Sequence, residues 1–172
     1  PTLNKANGLY YGLAFAPDGT LYAAQGAADR IVVAKIDGDG KLTIQRRFDT
    51  HKGDFPSGLA LDGRGLLYVV NNDPDTPHLD KPTPASVAIF EPGAGKEVGR
   101  FVFESDLPGS NFPLAAAVLA DGSKLYVASE RDGAVYVLDG SKPEALKQVA
   151  KVETGSHPVA LCLDEPRQRL FV

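Results

Sequence analysis

Three histidines are the side chains of this sequence best suited to proton transfer or metal ligation near neutral pH: His51, His78 and His157. They stand 27 and 79 residues apart. No H-x-H or H-x3-H pair places two of them side by side, so spacing indicates no metal site. Asn71, Glu130 and Arg131 add amide, carboxylate and guanidinium groups of the kind that hold a small polar ligand. Together these six form the candidate ligand-binding set. Any joint chemistry depends on a fold that gathers loops far apart in the chain.

Sharper signatures fail on their details. Asp37-Gly38-Asp39-Gly40 starts like a calcium loop but lacks the later ligands and the bidentate Glu, so it reads as a hairpin turn. Asp73, Asp75 and Asp80 are oxygen donors in one loop, where solvation is the simpler reading. Gly93-Ala94-Gly95-Lys96 lacks the spacing, the Ser or Thr and the helix of a phosphate loop. There is no G-x-S-x-G elbow and no H-E-x-x-H. The neighbours Ser156 and His157 do not make a triad. No catalytic residue is assigned, and no cofactor is indicated. The lone Cys162 has no internal disulfide partner, and within Val159–Leu163 it reads as a small buried hydrophobe.

The elements that must position these groups recur. Leu21-Tyr22, Leu67-Tyr68, Leu125-Tyr126 and Leu170-Phe171 lie 46, 58 and 45 residues apart, each after a turn such as Asp18-Gly19 or Asp121-Gly122. A period in the mid-forties without helical patterning predicts an all-β chain of β-propeller blades, four antiparallel strands each. Asp-Gly between apolar runs marks the hairpins, because glycine accepts the positive φ that tight turns need. The expected blades are 10–48, 56–103, 113–152 and an incomplete 158–172. That makes about three and a half blades, expected as part of a seven-bladed parent, since the sequence opens at Pro1, has no methionine and stops at Val172. Pro143-Glu144-Ala145-Leu146 is expected as loop.

Meandering blades place the tight hairpins on one face. The more varied B–C turns and D–A connections fall on the other, where A to D run from the axis outward. All six candidates lie in the varied set, together with Lys52 and Asp54. Blade two carries about ten extra residues between strands B and C, rich in proline, around His78. If a ligand binds, the mouth of the central channel on this face is the expected place.

Composition sets limits. The net charge of −4 argues against a nucleic-acid surface, and no apolar run is long enough to span a membrane. No signal peptide is visible.

Lys124-Leu125-Tyr126-Val127-Ala128-Ser129, followed by Gly133–Asp139, resembles the YVTN repeats of YncE-like β-propellers. Leu67–Asn71 keeps the terminal Asn of that repeat, where blade three has Ser129 and blade one Gln25. Tyr10–Gly19 and Ser105–Pro113 are similar to the propeller half of bacterial proteins that join a YncE-like propeller to an alkaline-phosphatase-type phosphoesterase. That resemblance implies an exported, periplasmic or secreted protein whose hydrolytic residues lie in another domain. Three readings follow. One is a non-catalytic module that binds a ligand or protein and scaffolds an adjacent enzyme domain. The second is a lactonase-like propeller enzyme, and the third is a cell-envelope interaction protein.

Overall fold

The computed structural model describes residues 8–9, 11–72, 83–104 and 111–172. The predicted candidate His78 and the acidic residues of the blade-two insertion fall outside them. Every described regular element is a strand or a short 3-10 turn. The strands form three four-stranded antiparallel meanders and one two-stranded pair, the architecture of β-propeller blades.

The first blade runs β1 (Leu13–Phe15), β2 (Thr20–Gln25), β3 (Arg30–Ile36) and β4 (Leu42–Asp49). The second runs β5 (Pro56–Leu61), β6 (Leu67–Asn71), β7 (Ser86–Glu91) and β8 (Lys96–Val102). The third runs β9 (Pro113–Val118), β10 (Lys124–Ser129), β11 (Ala134–Asp139) and β12 (Lys147–Glu153). β13 (Cys162–Asp164) and β14 (Arg169–Phe171) form the last pair.

Alternation explains the packing. Successive residues of a strand point to opposite faces of the sheet, so a blade sandwiched between two others is apolar on both. Along β6, Leu67 and Val69 pack toward blade one with Tyr22, Ile31 and Phe48. Tyr68 and Val70 pack toward blade three with Leu125, Val127 and Tyr136. The innermost strands crowd the axis. A methyl group on Gly12 would collide with the Ser57 carbonyl, and one on Gly58 with the Leu114 carbonyl. Only glycine lets these backbones approach so closely.

The repeat extends to an irregularity that the residue types do not reveal. Each C–D strand pair slips register at the same rung: between Val33 and Ala34, between Ile89 and Phe90, and between Val137 and Leu138. One residue of the outer strand is left over each time, namely Gln45, Val98 or Val149, which makes a β-bulge.

Three expectations change. Pro143–Ala145 is a 3-10 turn rather than plain loop, with Pro at its start where a missing N–H costs nothing. Cys162 is exposed, not buried, because no third strand or further sheet among the described residues covers that side of β13. β1 is short, and Leu13 and Phe15 are exposed rather than packed on both sides.

Candidate functional site

The varied B–C turns and D–A connections interlock on one face, as the meander requires. In blade one the B–C turn ends at Asp29, in the left-handed conformation. Its carboxylate accepts from the Gly53 and Phe55 N–H groups at 2.8 and 2.9 Å, and its carbonyl accepts from Thr50 N–H at 2.8 Å. In blade three Gly133 holds the equivalent left-handed position, and its carbonyl accepts from Thr154 N–H at 2.9 Å. His157 occupies the place of Phe55, and both have positive φ just before a proline. Because Phe55 shares that conformation, it belongs to the connection's shape and not to the imidazole.

The described candidates divide between two places. At the junction of blades one and two, Asp54 is buried and receives two hydrogen bonds from Arg100, both 2.9 Å. Arg100 also grips both oxygens of Glu97, at 2.9 and 2.8 Å, and donates to Ser86 Oγ at 2.8 Å. Asn71 joins through Ser86, and His51 Nε2 lies 3.6 Å from Glu97 Oε2. Burial alone would lower the Arg100 pKa, but the hydrogen bonds it donates to Glu97 and Asp54 more than reverse that and hold it firmly charged.

The second place is the junction of blades three and four. His157 Nδ1 contacts Glu130 Oε1, with the imidazole largely exposed and the carboxylate partly covered. Arg131 lies over the Phe112 ring, 4.7 Å from its centroid. A cleft of about 410 Å³ opens here, lined by Glu130, Arg131, Asp132, Gly133, Glu153, Gly155, Ser156 and His157. Beneath it Asp132 Oδ2 accepts from the Ser129 hydroxyl, from Asn111 Nδ2 at 3.0 Å and from Tyr136 OH at 3.1 Å. Lys151 stands 3.7 Å from its other oxygen. Desolvation raises the Tyr136 pKa; the Lys151 hydrogen bond opposes that, and Asp132 adds to it.

Glu130, Arg131 and His157 thus come together, whereas His51 and Asn71 belong to the other junction. Glu97, Arg100, Ser86, Asn111, Asp132 and Tyr136 escaped sequence reasoning. Glu97 and Arg100 are three apart, which puts them on opposite faces of a regular strand. The bulge at Val98 brings them to one face. A larger cleft of about 580 Å³ lies on the hairpin face between Lys124, Tyr126, Glu165 and Arg169, beside β14, which among the described residues pairs only with β13, and away from every described histidine. Among the described residues no three His, Cys, Asp or Glu side chains cluster to hold a metal, and no helix is long and apolar enough to cross a membrane.

No family model matches the chain, and no curated protein matches it. Solved structures do. A Lactobacillus plantarum protein matches at 19% identity and a TM-score of 0.75, over 92% of this chain and 45% of its own. A candidate 6-phosphogluconolactonase from Bacteroides uniformis matches at 17% identity and a TM-score of 0.73, over 93% of this chain and 46% of its own. Kuenenia stuttgartiensis hydrazine synthase matches at 18% identity and a TM-score of 0.66, over 92% of this chain and 56% of its own. At these identities the likeness establishes the β-propeller-like fold alone. The chain spans under half the length of the first two.

Proposed function

We infer that this chain is the binding portion of a propeller protein, taking a small polar ligand or a partner's loop at the cleft between blades three and four. One observation carries the reading: His157 and Glu130 meet at the lip of that cleft with the imidazole in solvent. The carboxylate below it and those of the other junction have other work. Asp132 is bound by three donors, and Asp54 and Glu97 share Arg100. The role is binding without turnover, in support of an adjacent enzyme domain of the same parent chain. The YncE-like resemblance suggests an exported protein and a phosphoesterase as that domain. Calorimetric titration of the parent protein with a panel of sugar acids, lactones and peptides tests this. The expected result is saturable binding that His157→Ala and Glu130→Gln each weaken.

A second reading is lactone hydrolysis. The candidate 6-phosphogluconolactonase among the similar folds favours it, as does an imidazole backed by a carboxylate, which suits a general base. Acid release from gluconolactones by the parent protein, followed at constant pH and abolished by His157→Ala, would replace the first reading with this one.

A further inference from the structure

Strand β6 ends at Asn71 and Asn72 follows it, a pair that no other described pair on this face resembles. Asn71 and Asn72 are each 1% exposed. Asn71 Nδ2 donates to Ser86 Oγ at 3.0 Å, while its Oδ1 meets nothing. The Asn72 backbone N–H donates to the Phe55 carbonyl at 3.2 Å, yet neither its side-chain Oδ1 nor its Nδ2 has a partner. Exchanging the oxygen and nitrogen of the Asn71 amide would only change which atom is unmet, because Ser86 reaches one of them. Buried amide atoms are almost always partnered, and each one left unmet destabilises the fold. Blade three shows the contrast. Ser129 ends its strand at the same register and is satisfied on both sides, by Asp132 and by the Phe112 N–H.

The unmet atoms define what they would take. Amides supply donors and acceptors together and carry no charge. In the adjoining network Asp54 and Glu97 outnumber Arg100, whose guanidinium is already bonded to both and to Ser86, so it leaves no cation for a phosphate or carboxylate. We propose that Asn71 and Asn72 form a subsite for the hydroxyl groups of a neutral, sugar-like polyol. It shares no residue with the cleft at Glu130 and His157 and stands independently of it.

The test uses the whole protein and 1,5-anhydro-D-glucitol, a neutral polyol that does not hydrolyse, with 6-phosphogluconate as the anionic comparator, followed by saturation-transfer NMR. The expected result is saturable polyol binding, at least tenfold weaker in Asn72→Leu, with the phosphorylated comparator at least tenfold weaker on the native protein. Asn71→Ser, which copies the blade-three residue, serves if Asn72→Leu does not fold, and the same loss is expected. Binding that is absent, equal in native and variant proteins, or stronger for 6-phosphogluconate overturns the proposal. An unchanged or higher melting temperature in Asn72→Leu without any polyol response would mean that internal water alone fills the niche.

Discussion

The two blade junctions on the varied face use the same residue types to opposite ends. Between blades one and two, Asp54 is withdrawn from water, Arg100 and Glu97 are mostly covered, and the three satisfy one another. Between blades three and four, a Glu130 carboxylate covered about as much as Glu97 meets His157, whose imidazole stands in solvent at the edge of a cleft. A buried charge must be paired or it destabilises the fold, so the first network is framework. An exposed pair adds little to stability and keeps its groups available for recognition. The two glutamates are covered alike, and the buried Asp54 on one side against the exposed His157 on the other separates the two roles.

The comparison breaks most readily at Arg100. Arg100→Leu leaves the Asp54 carboxylate buried and unpaired, and chemical denaturation should show a loss of about 3–5 kcal/mol. A loss below about 1 kcal/mol would remove the distinction between framework and rim. Asp132→Asn comes next, since that carboxylate anchors Ser129, Asn111 and Tyr136; a loss of about 2 kcal/mol is expected in the same measurement.

Tyr68 sharpens the point on the hairpin face. Desolvation, then the nearby Asp62, push its phenol up to about 12. Its folded pKa is raised above the ordinary value of 10.0, so its contribution is complete below about pH 10 and is lost as pH climbs toward 12. Tyr68→Phe should cost about 1 kcal/mol at neutral pH and should flatten the alkaline limb of the melting-temperature profile. The smallest effect belongs to the rim. Glu130→Gln should change stability by less than about 0.5 kcal/mol while still weakening ligand binding at the cleft, a combination that a framework residue would not produce.

Much of the fold was legible because hairpin chemistry is local. Asp18-Gly19 and Asp121-Gly122 mark turns wherever they occur, and the Leu-Tyr pairs phase the blades. The site was half legible. The grouping of Glu130, Arg131 and His157 was legible because the meander fixes which loops share a face. Arg100 and Glu97 were hidden because their pairing depends on the extra residue at Val98, which no residue type announces. Exposure misled the reading of Cys162 and β1, since apolar sequence shows what a strand can bury but not whether a neighbour covers it.

The bulge at one rung of every outer strand also makes those strands interchangeable parts. A segment transplanted from β4 into β8 or β12 carries the offset with it and keeps each side chain in phase with its host. A graft that joins an ordinary, unbulged strand at Gln45, Val98 or Val149 would turn every residue beyond the seam to the wrong side, and in blade two it would separate Glu97 from Arg100 without altering either.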